Sequence, residues 1–418
     1  MSTSDRNAEF PFDPTDPAFR ADPYPVYREL RENHPAVRGP LGAWAVSRYE
    51  DCDLLLRDRR MGKDLGNSEY FARAAGDTEA EEAPFLGLGI DGWDAQLFKL
   101  LDPPDHTRLR ALVSQAFTPA VIDGLKDSTA AIVDELLGEL PDRFDVMQRL
   151  GAPLPIRVLG DMLSIPREDH EIFVQWSTEI AHILELGAEP SEDVAIRCQK
   201  AVAECTAYFV ELLEKRASSD GDDLLSQLAR ARDLAEGGLT LHQIAAVCVL
   251  LVVPGLDTFS NLIGNAAVLF ARHPEVLPQL AAEPESADAV LDEILRLEPP
   301  THASWRVALE PVEMHGQTIE PGDVVLLLIA AANRDERVFD SPETFSLGGN
   351  SRKHLSFGRG IHYCAGDLLS RLMAKEAFKG LAQRVARLSL VDEQVDYKPG
   401  IWLRGPSRLP VVVEHRAG

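Results

Sequence analysis

A mainly α-helical domain with a few small β-sheets (α+β) is the fold class this sequence predicts. Three observations lead there. Apolar residues recur at helical spacing over most of the 418 residues, strand-like stretches are few and short, and one run from Thr240 to Arg272 is apolar on every side. Such a helix runs through a core rather than along a surface, and about 33 residues at ~1.5 Å each make it about 50 Å long. No Pro/Gly/Ser-rich linker, low-complexity run or internal repeat divides the sequence. One domain over 1–418 is therefore expected, with 1–20 as an extended N-terminal segment.

Helical patterns follow in order at Tyr24 to Asn33, Glu50 to Arg57, Asp105 to Ala116, Ala120 to Leu140, Asp145 to Met162, Asp169 to Leu186, Asp193 to Arg216 and Asp222 to Asp233. The long helix starts on a capping box, Thr240 with Gln243, and stops at His273-Pro274. Val276 to Ala282, Ser286 to Leu297 and Ala365 to Val385 complete the helices. The strand-like pieces are Val37 to Val46, Arg306 to Val312, Asp323 to Leu328, Arg387 to Leu390 and Leu409 to Glu414.

With 42 basic against 67 acidic residues the net charge is −25, which argues against nucleic acid and against anionic lipid as partners. Met1 to Glu9 lacks a charged-then-apolar signal pattern, and no apolar run is read as reaching the ~18 residues of a membrane span. A soluble, cytoplasmic protein is expected. Five scattered cysteines without CxxC spacing suit a reducing compartment.

The most specific stretch is Phe357-Gly358-Arg359-Gly360-Ile361-His362-Tyr363-Cys364-Ala365-Gly366. Gly358 and Gly360 permit a tight turn that brings Cys364 to the start of a helix, where backbone amides and the macrodipole stabilise a thiolate. With Phe357 and Tyr363 to exclude water, that is what an axial haem ligand requires. Cys52, Cys198, Cys205 and Cys248 read as small buried hydrophobes. The run resembles the cysteine-ligand loop of the cytochrome P450 family, Phe-Gly-x-Gly-x-His-x-Cys-x-Gly, at every fixed position. The resemblance spans essentially the whole chain. It implies the cytochrome P450 fold, with a long central helix over a haem b (iron protoporphyrin IX) and Cys364 as the metal ligand.

Within the long helix lies Pro254-Gly255-Leu256-Asp257-Thr258. Proline removes a bond to the Leu250 carbonyl and clashes with that turn, at about 3 kcal/mol, so the helix is expected to bend or open. An acid and a hydroxyl at a helix defect suit small polar species such as dioxygen and water. Taken alone, the segment equally suits a kinked core helix with a buried polar cluster. The family's Ala/Gly-Gly-x-Asp/Glu-Thr segment is similar at Gly255, Asp257 and Thr258, with Pro254 where a small residue is usual. The resemblance implies that Asp257 and Thr258 are catalytic, relaying protons, and that Gly255 lies by the cofactor.

His106 and Arg110, four apart on one helix, can meet one anion. With Arg306 and His362 they resemble the family's haem-propionate contacts; Phe357 and Gly358 complete the cofactor residues. Glu293 and Arg296 resemble a buried structural pair that fixes the cysteine loop. Its usual third member, an arginine, is absent around Gly348, Gly349 and Asn350, so either Arg352 substitutes or the network is incomplete and the loop less stable.

By position the substrate pocket comprises the Phe85 to Phe98 loop, Phe173 to Val194, the Leu250, Val253 and Pro254 face, Thr301 to Ser304 with His302 and Ala303, and Ile401-Trp402. That lining suits a lipophilic small molecule such as a secondary-metabolite intermediate. Arg352, Lys353, Arg359 and Arg371 form a basic surface for an acidic ferredoxin, served by an NAD(P)H-dependent ferredoxin reductase, since the chain carries no flavin or iron–sulfur segment. The activity implied is monooxygenation, one oxygen atom of O2 entering the substrate. A peroxide-using or isomerising haem-thiolate enzyme and a non-catalytic haem sensor or carrier remain open.

Overall fold

The apolar run from Thr240 forms one continuous helix around which the rest is arranged. In the computed structural model, which describes residues 12–13, 16–39, 43–68, 100–184, 192–217, 224–231 and 240–416, the helices are α1 (Pro17–Ala21), α2 (Tyr24–Asn33), α3 (Tyr49–Arg57), α4 (Asp105–Ala116), α5 (Pro119–Gly124), α6 (Lys126–Leu137), α7 (Pro153–Met162), α8 (His170–Leu184), α9 (Glu192–Ala217), α10 (Leu224–Ala231), α11 (Leu241–Arg272), α12 (Val276–Ala282), α13 (Ala287–Leu297), α14 (Ile329–Ala332) and α15 (Asp367–Arg384). The Thr240 hydroxyl accepts from the Gln243 amide and the Gln243 side chain accepts from the Thr240 amide, so α11 begins on a complete capping box. Helices α7, α8, α9, α10 and α13 and a π-helical turn, Met147–Gly151, pack around α11. By length and composition α11 would pass for a membrane span, but 67% of its most apolar window is buried by these neighbours.

Strands β1 (Ala36–Arg38), β2 (Trp44–Val46), β3 (Met61–Gly62), β5 (Ser304–Ala308) and β8 (Val324–Leu327) form a five-stranded sheet in the order β1-β2-β8-β5-β3. Only the β2–β8 pair in it is parallel, with Trp44 opposite Val325. The sheet β4-β10-β9 joins Arg143–Asp145, Pro410–His415 and Val385–Leu390, and β6 (Val312–Met314) and β7 (Gln317–Ile319) make a hairpin.

Several boundaries differ from the sequence reading. Residues 17–20 are helical rather than extended, because Asp16 caps the Ala18 amide and Pro17 sits in the first turn; residues 1–11 and 14–15 lie outside the described residues. Ala120 to Leu140 divides at Leu125, and Asp145 to Met162 begins as a strand end and a π turn. Val37 to Val46 is an antiparallel pair, β1 and β2, not one strand. Helix α11 does not open at Pro254. Hydroxyls serve the carbonyls beside it: Ser177 of α8 donates to Val253 (3.0 Å) and Thr258 to Pro254 (2.6 Å).

Candidate active site

The loop ahead of α15 is fixed by its glycines and by an arginine. Gly358 and Gly360 take φ of +71° and +70°, and a Cβ on Gly360 would stand 2.7 Å from the Leu56 carbonyl oxygen, so glycine alone lets α3 close on the loop. Three backbone bonds fold it: Gly358 to Leu355, Tyr363 to Gly360 and Cys364 to Phe357 (2.9 Å). The Arg359 guanidinium donates to the carbonyls of Gly358, Lys353 and His354. Phe357 lies against His354 and Tyr363, with the Arg371 guanidinium over its ring.

Cys364 ends this loop three residues before the first residue of α15 and is half-buried. The other four cysteines are buried, and burial pushes their thiols up, to about 12 for Cys198 and Cys248. They are neutral hydrophobes, as expected.

Near Cys364, whose charge Arg110 feels, is a cluster of basic side chains from four places in the chain. The rings of His106 (α4) and His362 stand 4.4 Å apart. Arg306, on β5, is 2% exposed, and burial pulls its guanidinium down to about 10. Arg110 is pulled down by burial while the nearby Cys364 acts the other way. His362 is pushed down to about 2, first by burial and then by Arg306, Lys63, His106 and Arg110. Lys63 was not anticipated. It follows β3, is 4% exposed, and holds its ammonium 3.8 Å over the Trp305 ring. Asp102, at the entry to α4, accepts from the Lys63 and Asp64 amides and so ties this segment to the helix bearing His106 and Arg110.

These groups fit a haem. Burying cations and imidazoles together is costly without a multiply charged anion, which two propionates supply. The Nε2 of His362 is buried without a hydrogen-bond partner among the described residues. Cys364, two residues after His362 and near Arg110, offers a thiolate donor beside them.

Glu293 and Arg296 form a bidentate pair at 2.7 Å, 1% and 4% exposed. Arg352 does not take the third place: it is 84% exposed and meets Asp292 instead. The Ser351 hydroxyl (2.6 Å) and the Ser346 amide (2.8 Å) bond the Glu293 carboxylate, and Arg296 donates onward to Pro342, Thr344 and Asn333 carbonyls. The network is complete by another donor. Neighbouring Asp292 joins His354 and Arg371, and Arg371 also binds Asp367, which accepts from the Tyr363 hydroxyl.

On α11 the expected pair does not bond to itself. Asp257 is held by the Lys398 ammonium at 2.5 Å, while the Thr258 hydroxyl is turned to the Pro254 carbonyl. Gly255 faces Leu159 of α7, 3.2 Å from where a Cβ would lie, so its smallness serves helix packing there.

The pocket expectation fares unevenly. Leu250, Val253 and Pro254 stay together on one stretch of α11, Leu250 and Pro254 half-buried and Val253 buried. His302 is not an orienting group there. Its Nδ1 is 3.4 Å from the Tyr27 hydroxyl, and burial, with Arg404 and Arg334 adding to it, holds its pKa well below the usual histidine range. Ala303 and Trp402 belong to the core cluster of Phe19, Tyr24 and Tyr27, although Trp402 also meets Trp305 edge-on at 5.4 Å. The His302 ring lies against Tyr24 and Tyr27 of α2, with centroids 6.0 Å from each. The Phe85 to Phe98 loop and residues 185–191 of the Phe173 to Val194 segment lie outside the described residues.

A helical domain built round one long helix, with a half-buried cysteine beside a cluster of buried basic side chains, defines a haem-thiolate protein. Comparison with known proteins agrees. The family model "Cytochrome P450" matches residues 172–384. The chain is 32% identical to the polyketide biosynthesis cytochrome P450 PksS of Bacillus subtilis (strain 168), covering 96% of this chain and 98% of that one. It is 35% identical to the cytochrome P450 monooxygenase PikC of Streptomyces venezuelae, over 94% and 91%. The solved structure of P450 RauA, complexed with a biosynthetic intermediate of aurachin RE, superposes with a TM-score of 0.84 at 38% identity, over 97% of this chain and 98% of that one. The chain belongs to the cytochrome P450 family: it is a monooxygenase with haem b as cofactor.

Proposed function

We propose that this enzyme inserts one oxygen atom into a lipophilic natural-product intermediate of polyketide type, with electrons from a ferredoxin and its NAD(P)H-dependent reductase, in the cytoplasm. The observation that carries the reading is the basic cluster beside Cys364, where His106 and His362 lie ring to ring and His362 feels Arg306. The names of PksS, for polyketide biosynthesis, and of RauA, bound to a biosynthetic intermediate, support the substrate class. Haem b supplies reductive activation of dioxygen and transfer of one of its atoms.

The chain does the rest. Cys364 ligates the iron as a thiolate, kept from water by Phe357. Lys63, His106, Arg110, Arg306 and His362 hold the propionates by charge-assisted bonds. Asp257 takes up a proton at its carboxylate and passes it toward the Thr258 Oγ1. The Pro254 carbonyl, accepting from that hydroxyl, keeps Oγ1 pointed along the helix with its lone pairs available. Leu250 and Val253 offer apolar contact to the substrate. Of the four basic residues of the cysteine-loop face, Arg359 is tied to loop carbonyls and Arg371 to Asp292 and Asp367, so the exposed Arg352 and Lys353 draw the ferredoxin.

The test has two parts. The purified protein should give a ferrous carbonyl adduct with the red-shifted Soret band of sulfur ligation, and Cys364→Ser should lose that band. Turnover of lipophilic polyketide-type probes should need NAD(P)H, ferredoxin and reductase; equal turnover with peroxide alone would overturn the electron source.

A further inference from the structure

Proline at 254 leaves one carbonyl of α11 without its helix donor. A helix carbonyl points along the axis at the amide four residues on, and four residues after Leu250 stands Pro254, which has no N–H. The neighbouring carbonyls are better served: Val253 accepts from Ser177 of α8, and Pro254 accepts from Thr258. No group outside α11 bonds to the Leu250 carbonyl among the described residues.

The burial of the helix shows where that oxygen lies. From Ile244 to Phe270 every residue of α11 is buried except Leu250, Pro254, Gly255, Asp257 and Thr258. Leu250, Pro254, Asp257 and Thr258 follow at helical spacing and so form one narrow open strip along an otherwise covered helix. The Leu250 oxygen, directed at residue 254, lies on this strip between two half-buried side chains. Its neighbours in the chain, Val249, Leu251, Val252 and Val253, are apolar and buried. An acceptor left unserved in such surroundings is costly, and a donor entering along the strip relieves that cost.

We infer that the Leu250 carbonyl is a fixed acceptor for a substrate hydroxyl, made available by Pro254, and that the substrate is therefore a lipophilic alcohol. The inference rests on this stretch of α11 lining the substrate pocket, as proposed above. A neutral carbonyl selects a neutral O–H, since a ketone, an ether or a carboxylate has no proton to donate to it. Leu250 and Thr258 are eight residues apart, about 12 Å along the axis at ~1.5 Å per residue. A substrate held by its hydroxyl at the Leu250 end thus presents a carbon remote from that hydroxyl at the Thr258 end.

The test compares cyclododecanol with its methyl ether, which keeps the ring and loses the donor. Dissociation constants of both are measured by equilibrium dialysis against ferric holoenzyme of wild type, Pro254→Ala and Pro254→Val. Each variant returns an N–H to residue 254, so the helix regains its bond and the Leu250 oxygen is taken. A neutral hydrogen bond is worth about fivefold in affinity, and the preference for alcohol over ether should fall by about that factor in both variants alike. Without any variant, wild type should also bind cyclododecanol about fivefold more tightly than cyclododecanone, which carries an acceptor in place of the donor. An unchanged preference in both variants, a preference that follows the size of residue 254, or a wild type that does not favour the alcohol over the ketone overturns this inference and leaves the haem-thiolate reading standing. A wild type that binds none of the three probes while showing the sulfur-ligated carbonyl band overturns the lipophilic substrate class, and this inference with it.

Discussion

Replacing Ser351 by alanine removes the hydroxyl that bonds Glu293 at 2.6 Å in a site where donor and acceptor residues are 7% and 1% exposed. A hydrogen bond to a buried charge is worth about 1.5–3 kcal/mol, because the carboxylate cannot recover the lost donor from water. With about 2.1 cal/mol/K of unfolding entropy per residue over 418 residues, close to 0.9 kcal/mol/K, a loss of about 2 kcal/mol lowers the melting temperature by about 2 °C. Because Ser351 stands just ahead of the loop ending at Cys364, haem should also leave at a lower temperature, read as loss of the Soret band during the melt. Arg352→Ala is the control. That guanidinium is 84% exposed and 3.4 Å from Asp292, so its removal should cost about 0–1 kcal/mol and leave haem retention alone. If Arg352→Ala destabilises the protein as much as Ser351→Ala does, the assignment of the third place to Ser351 is wrong.

Gly360→Ala combines φ of +70° with a Cβ at 2.7 Å from the Leu56 carbonyl; a loss of about 2 kcal/mol or more and a protein with substoichiometric haem are expected, read by melting and by pigment content. Burial holds His302 well below the usual histidine pKa, so the unfolded chain binds that proton first: the stability is present above ~6.5 and is lost as pH falls below it, by up to about 1.4 kcal/mol per pH unit. Urea unfolding between pH 7.5 and 5.5 should therefore show a shallower decline in His302→Gln than in wild type, and equal slopes would contradict it. Lys63→Met should weaken haem binding by about tenfold, the effect of losing one partly desolvated charge pair, in transfer of haem to apomyoglobin; unchanged transfer would remove Lys63 from the site.

What the sequence carried, it carried through local pattern. The capping box at Thr240, the helix Asp105–Ala116 and the glycines at 358 and 360 each follow from residues within a few positions of one another, and each appears as expected. Contacts between distant segments are legible only where a family motif marks the residues, as at His106, Arg110, Arg306 and His362. Lys63 acquires its place by crossing to Trp305, and Lys398 by reaching Asp257 over 141 residues. Ser351 was passed over for its neighbour Arg352 because charge was sought where a hydroxyl suffices. His302 belongs to the same class: its ring packs on Tyr24 and Tyr27, far away in the chain, and pattern over so short a stretch does not reveal that contact.

The charges of the proposed cofactor cleft explain why a chain of net charge −25 gathers basic groups in its interior. Burial pulls down the Arg110 and Arg306 guanidinium groups and the His106 and His362 imidazoles, and Arg110 acts with burial on both histidines. Asp102 lies among them and is felt by both His106 and Arg306. Two haem propionates would add charge-assisted partners for these basic groups. Binding of haem would then stabilise the fold through this cluster as well as by ligation at Cys364. It follows that Cys364→Ser, which keeps the cleft intact, should still bind haem more firmly than a variant lacking Arg306, because the anchoring resides in charge and the sulfur mainly sets the chemistry.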